Sequence, residues 1–243
     1  MRIVGVTSPV FAAACYVVAA DDGTCVVVDP GAGVADAVRG VVAEQGLRIA
    51  GVVVTHGHAD HVWDAGRLAT AAGVPVRLHA RDAYRLADPL GTLGAGGAGG
   101  ARPDVLGVRD ALRAALVAAG ADADGFEAGA VEPFGAGDDG ARTADVELVL
   151  GGVRLVARHA PGHTEGSTVY LVDAGADQVA FTGDVLFAGT VGRTDLPGGD
   201  AAVMATTLRE VVAVLPPGTH VLPGHGPATR VDVELRTNPY LAG

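Results

Sequence analysis

The sequence predicts an α/β fold in which two similar halves pack sheet on sheet, with helices outside. Three observations carry this reading. Short β-branched runs are bounded by Gly or Asp turns, segments of helical period lie between them, and the alternation occurs twice along 243 residues. A hydrophobic fraction of 49% and a mean hydropathy of +0.34 suit a buried core. A wholly disordered chain is excluded.

Residues 3–20 are uncharged and follow Met1-Arg2, so a secretory leader has to be weighed. Thr7-Ser8-Pro9 divides the stretch, and residues 14–20 run through Asp21-Asp22-Gly23 into Cys25-Val26-Val27-Val28, which is the pattern of a hairpin. The hairpin is the reading adopted. No other stretch approaches the ~18 apolar residues of a membrane span. Val34, Val38, Val41 and Val42 recur at helical spacing, residues 49–54 read as a buried strand, 65–72 as a helix and 74–79 as a strand.

Residues 88–143 differ in character. Two Gly-rich patches, 94–100 and 135–140, flank a helix that Asp104 could cap and that carries Val108, Leu112 and Leu116 on one face. The stretch reads as an insertion or lid at the substrate entrance, within a single domain of residues 1–243. Strands are expected at 146–150, 153–156, 168–172, 179–181 and 221–222, a helix at 204–215, and a docked tail at 238–241.

The chain carries 28 acidic residues against 17 basic ones, a net charge of −11, and every basic residue is Arg. Without Lys there is no Schiff-base chemistry and no P-loop lysine, and the acidic balance argues against nucleic acid as a partner. Cys15 and Cys25 are the only cysteines. They form no CxxC, so a disulfide framework is not expected, and a reducing, cytoplasmic setting is. Either they face each other across the hairpin or they are two small buried thiols.

Thr55-His56-Gly57-His58-Ala59-Asp60-His61 gathers three His and one Asp where a strand ends, the edge at which open α/β sheets place ligands. His56 and His58 can share one side of an extended segment. Burying these groups together is costly without a cation. His163, Asp184 and His225 each lie just past an expected strand, beside a Gly. Five His and two Asp suit zinc first, with iron or manganese as alternatives, whereas magnesium and calcium prefer oxygen shells. Seven ligands exceed one tetrahedral ion, so two divalent ions with a bridging carboxylate are expected.

The motif His56-Gly57-His58-Ala59-Asp60-His61 with His163, Asp184 and His225 resembles the metallo-β-lactamase superfamily over nearly the whole chain. The resemblance implies a four-layer αββα sandwich. It also implies His56, His58 and His163 on one metal, Asp60, His61 and His225 on the other, and Asp184 bridging. The run Gly192-Arg193-Thr194-Asp195 after Asp184 looks like the glyoxalase II-like hydrolase and persulfide dioxygenase branch. An Asp at the bridging position argues against the classical lactamases. Two departures from true glyoxalase II point to a different small thiol carrier: the stretch after His225 is short and the chain has no Lys to hold glutathione, and Thr194-Asp195 stands where that enzyme has aromatic residues.

The function expected is hydrolysis of an acyl thioester or ester of hydroxyacylglutathione hydrolase type, by a metal-bound hydroxide that Asp60 and Asp184 orient. An iron-dependent persulfide dioxygenase using His56, His163 and Asp184, a lactonase, and an inactive binding module of the same fold are the alternatives. Neither a nucleic-acid nor a membrane partner is expected. Arg193 and Asp195 are expected to form a structural ion pair beneath the site, with a substrate clamp as the alternative. Asp29 is either a hydrogen-bond partner of a ligand His or an ordinary strand-end residue. Trp63 either walls the pocket or packs a helix, and His79, His159 and His220 are left as surface or core residues.

Overall fold

The computed structural model describes all residues except 94, 97–99, 102–106, 136–142, 176 and 242–243. The first half contains β1 (Arg2–Thr7), β2 (Ala14–Ala19), β3 (Thr24–Val28), α1 (Ala35–Glu44), β4 (Arg48–Val53), α2 (Ala59–Val62), α3 (Ala65–Ala72) and β5 (Val76–His79). A 3-10 turn at Ala80–Ala87, the two-residue strands β6 (Ala95–Gly96) and β7 (Gly100–Ala101), α4 (Val108–Ala118) and β8 (Val131–Phe134) follow. The second half contains β9 (Val146–Leu150), β10 (Val153–His159), β11 (Thr168–Ala174), β12 (Asp177–Gly183), α5 (Ala201–Thr207), β13 (His220–Pro223), β14 (Thr229–Arg230) and α6 (Val231–Thr237).

Two six-stranded sheets result, ordered β1-β2-β3-β4-β5-β8 and β14-β13-β12-β11-β10-β9. Each central strand buries both faces, and side-chain alternation divides it between two cores. Val27 and Val52 point to the layer of α1 and α3. Val26, Val28 and Val53 meet Leu155, Tyr170 and Phe181 of the other sheet. Ala180 and Leu171 face Met204 and Leu208 on the outer side of the second sheet. This is the αββα sandwich expected from the sequence.

The strands that carry the motif end at one edge. Both β10 and β12 run antiparallel to β11, and β13 runs parallel to β12, so β10, β12 and β13 share a direction and a terminal edge. β4 joins that edge from the other sheet. Thr168 N–H donates to Thr55 O at 2.9 Å, and the Tyr170 hydroxyl donates to Val54 O at 2.9 Å.

Several local expectations are corrected. The helix expected at 204–215 begins at Ala201, because Asp200 accepts the N–H groups of Ala202 and Val203, and it continues as a π-turn over Leu208–Val212. Cys25 lies opposite Ala19 and Cys15 opposite Val6, so the thiols do not face each other across the hairpin. Both are buried and unpaired. α4 starts after Gly107, at φ +64°, and buries Leu112 and Leu116. Asp104 and patch residues 97–99 and 136–140 lie outside the described residues. Asn238 docks the tail, donating to Thr190 O and Glu234. Among the described residues, no helix is long and apolar enough to cross a membrane.

Candidate metal centre

The shared edge brings all seven side chains singled out in the sequence into one cluster. Three overlapping groups have possible ligand atoms within 4.8 Å of one another: His56, His58 and His163; His56, His61 and Asp184; and Asp60, His61 and His225. Asp184 lies between the outer two. Its Oδ2 is 3.5 Å from His163 Nε2 and 3.6 Å from His225 Nε2, and its Oδ1 is 3.4 Å from His61 Nε2. Asp60 Oδ2 is 3.3 Å from His225 Nε2.

The outer partners of the rings decide which nitrogens face inward. His61 Nδ1 meets Asp29 Oδ2 at 3.1 Å, His163 Nδ1 meets Arg193 O at 2.7 Å, and His225 Nδ1 meets Phe11 O at 3.1 Å. Each outer atom is an acceptor only, so each Nδ1 carries the proton. Thr55 donates its hydroxyl proton to Asp29 and therefore accepts from His56 Nδ1 at 3.1 Å. All four Nε2 atoms are thus left as inward lone pairs. Two of them, on His61 and His225, face each other at 3.2 Å, and His58 turns Nδ1 to within 2.9 Å of His163 Nε2. His56 Nε2 and Asp184 Oδ1 are buried without a hydrogen-bond partner among the described residues. Lone pairs converging in this way require protons or cations, so the donor set fits divalent metal ions.

The electrostatics agree. Burial pushes His56 and His58 well below the usual imidazole range, with neighbouring His and Arg85 adding to it. Burial acts the same way on His61, but Asp60, Asp184 and Asp29 outweigh it and hold this imidazole well above that range. His225 is raised against burial by Asp60 and Asp184. Burial would raise Asp184, yet His61, His163 and His225 bring its carboxyl down to about 2.

Asp29 is the hydrogen-bond partner of a ligand-set histidine, not an ordinary strand-end residue. It sits at φ +50° and also accepts Thr55 N–H at 2.6 Å. Gly224 must lack a side chain, since a Cβ there would run into Asp184 Oδ1. The Arg193–Asp195 pair forms at 2.6 and 2.9 Å, but not beneath the site. The two side chains are 46% and 57% exposed, so the expected burial is corrected. Trp63 packs against Phe126 in the core under α4, which is its helix-packing reading. His79 and His159 are buried and stacked at 4.0 Å, while His220 is exposed.

Sequence reasoning missed Asp82 and Arg85. Asp82 accepts the N–H groups of Gly57 and Gly166 and the Thr164 hydroxyl, each at 2.8 Å. It thereby ties the His56–His58 loop to the His163 loop. Arg85, fully buried, links Asp82 to Glu165 and donates to Pro197 O at 2.9 Å. An Asp-x-x-Arg spacing gives no signal beyond that of a solvated helix face.

A family model described as the metallo-beta-lactamase superfamily matches residues 8–225, and the chain belongs to that superfamily of divalent-metal proteins. Among its relatives, the probable metallo-hydrolase YqgX of Bacillus subtilis is 32% identical, covering 91% of this chain and 89% of the relative. The hydroxyacylglutathione hydrolase GloC of Haemophilus influenzae is 27% identical, covering 99% and 97%. Two solved structures are also similar. TTHA1623 in a di-iron-bound form has a TM-score of 0.70 at 30% identity, covering 98% and 100% of the two chains. The BLEG-1 B3 metallo-beta-lactamase has a TM-score of 0.75 at 26% identity, covering both chains fully.

Proposed function

We propose that the chain is a metallo-hydrolase of thioesters, of the glyoxalase II-like type but with a thiol carrier other than glutathione. His56, His58 and His163 would hold one divalent ion, Asp60, His61 and His225 a second, and Asp184 would be shared. Zinc is the first candidate, and the di-iron form of TTHA1623 keeps iron in view beside manganese. The observation that carries the reading is the convergence of four Nε2 lone pairs, each fixed by an outer partner, around a carboxylate held ionised at about 2.

Such a pair of ions supplies a Lewis acid for the carbonyl oxygen and hydroxide at neutral pH. The chain's own residues do the rest. Asp60 and Asp184, both with lowered carboxyl pKa values, accept hydrogen bonds and so orient the attacking nucleophile. Asp29, Phe11 O and Arg193 O keep His61, His225 and His163 in one tautomer. A thiol with pKa near 8.5 departs as thiolate without a dedicated acid. The described cavity lining offers Arg193 and the ligand set as its titratable groups, which suits that leaving group better than an amine. The relationship to GloC, over almost the full length of both chains, supports the thioester class.

Leu93, Val108 and Leu112 line the cavity beside Asp184, which supports reading residues 88–143 as an insertion shaping the entrance of a single domain. Two buried free thiols suit the cytoplasm.

The test is metal analysis of protein purified without added metal, then zinc, iron and manganese reconstitution against acyl thioesters, lactones, a β-lactam and a persulfide. Two ions per chain and thioester cleavage are expected. Oxygen uptake on the persulfide with one iron per chain, or turnover confined to the lactone or β-lactam, overturns the reading.

A further inference from the structure

The cavity over the cluster has a volume of about 200 Å³, and its described lining is of two kinds. One is the ligand set. The other is hydrocarbon, contributed by Phe11, Leu93, Val108, Leu112, Phe187 and Leu196. Phe11 belongs to the β1–β2 connection, Leu93 to the turn before α4, Val108 and Leu112 to α4, and Phe187 and Leu196 to the segment after Asp184, and Phe187 and Phe11 stand against His225. Leu112 and Leu196 are buried in the cluster beneath α4, so this wall is continuous with a packed core. The cation among the described lining residues is Arg193, already gripped by Asp195 through two hydrogen bonds.

From this we infer the substrate class: thioesters with an uncharged, apolar acyl group of about four to seven carbons, with Asp195 acting as a specificity residue that keeps Arg193 from recruiting carboxylated substrates. The inference rests on the thioesterase reading above. An apolar cavity of roughly 150 Å³ accommodates benzene, so this volume suits a hexanoyl or benzoyl group. A carboxylate against the hydrocarbon wall would lose its hydration without a partner. The acyl half is assigned to the wall because the departing thiolate is charged and leaves on the solvent side. Its carboxylate product keeps the charged end at the ligand set and the tail on the hydrocarbon.

The experiment compares acetyl, butyryl, hexanoyl, benzoyl and succinyl thioesters of N-acetylcysteamine on metal-reconstituted protein, alongside binding of acetate and hexanoate by calorimetry. Each added methylene is expected to raise kcat/KM roughly three- to fourfold up to hexanoyl. Succinyl should lie at least tenfold below butyryl, and hexanoate should bind more tightly than acetate. Phe187→Ala should cut the hexanoyl-to-acetyl ratio about tenfold. Asp195→Asn should raise the succinyl-to-butyryl ratio severalfold, with circular dichroism confirming the fold of both variants. A flat dependence on chain length, a preference for succinyl, or unchanged ratios in both variants overturns the inference while leaving the thioesterase reading intact. Cleavage of no thioester by metal-loaded protein sinks the thioesterase reading instead, and hexanoate binding then decides the apolar wall separately.

Discussion

Asp82 accepts the backbone N–H of Gly57 at 2.8 Å, in the middle of the His56-Gly57-His58 turn. Because the same carboxylate accepts from Gly166 and Thr164, one buried side chain fixes the spacing between histidines that come from different sheets. Gly57 leaves room for Arg85, whose side-chain carbons would lie 2.7 Å from a Cβ at this position. The cluster geometry is therefore set partly by a group that belongs to neither the ligand set nor the cavity.

Removing that carboxylate orphans buried donors and leaves Arg85 with Glu165 as its carboxylate partner. Asp82→Ala should lose about 3–5 kcal/mol of stability, and Asp82→Asn about 1–3 kcal/mol, since an amide keeps one acceptor but presents N–H groups to donors. Urea unfolding of the metal-free protein measures both. Wild-type stability in Asp82→Ala would show that the network does not hold the two loops together.

Asp29→Asn tests the outer partner of His61. Asn tolerates the positive φ at this position, so the change removes charge with little backbone strain. An amide N–H facing Thr55 Oγ1 and His61 Nδ1 favours the wrong His61 tautomer. Affinity for one of two ion equivalents should fall about 10- to 100-fold, as read by competition with a chromophoric chelator. Equal affinity in wild type and variant would remove Asp29 from the account.

The seven cluster residues were legible because four crowd into His56–His61 after a β-branched run and the other three are each a His or Asp beside a Gly just past an expected strand, and strand direction then delivers them to one edge. The outer partners were legible only where a side chain acts. Asp29 could be considered from its position before Pro30, whereas Phe11 and Arg193 act through carbonyl oxygens that every residue possesses. Asp82 stands in Ala-Arg-Asp-Ala-Tyr-Arg, a pattern indistinguishable from a solvated turn until tertiary contacts bury it. Asp200 is a different case. Its capping position was readable, but the apolar run from Met204 drew the helix start too late.

Ion uptake should be proton-linked. Asp60 and Asp184 raise the imidazole pKa values of His61 and His225 in the metal-free protein, so this pair holds on to protons, which an ion must displace, to higher pH than a free imidazole does. Affinity should rise with pH and keep rising above 6.5, until the raised values are passed. Calorimetry in buffers of different ionisation enthalpy should show net proton release on binding at pH 7. Binding independent of both buffer and pH would contradict the electrostatics of the cluster.

The His79–His159 stack gives a separate, acid-side prediction. His79 Nδ1 accepts Arg81 N–H at 3.3 Å, so its Nε2 donates to Thr143 Oγ1 at 3.0 Å. Burial, with His159 and Arg81 adding repulsion, lowers this imidazole to about 3. Between pH 6.5 and about 3 the unfolded chain therefore binds a proton at this position that the folded chain refuses. By linkage, stability is fully present above 6.5 and falls as pH drops, by up to about 1.4 kcal/mol per pH unit from this residue, levelling off near 3. His56 and His58 slope the same way, so the informative quantity is the difference between wild type and His79→Gln in urea unfolding across pH 4–7. The variant should show the shallower acid slope. Parallel slopes would mean that His79 accepts its proton in the folded state as readily as in the unfolded one.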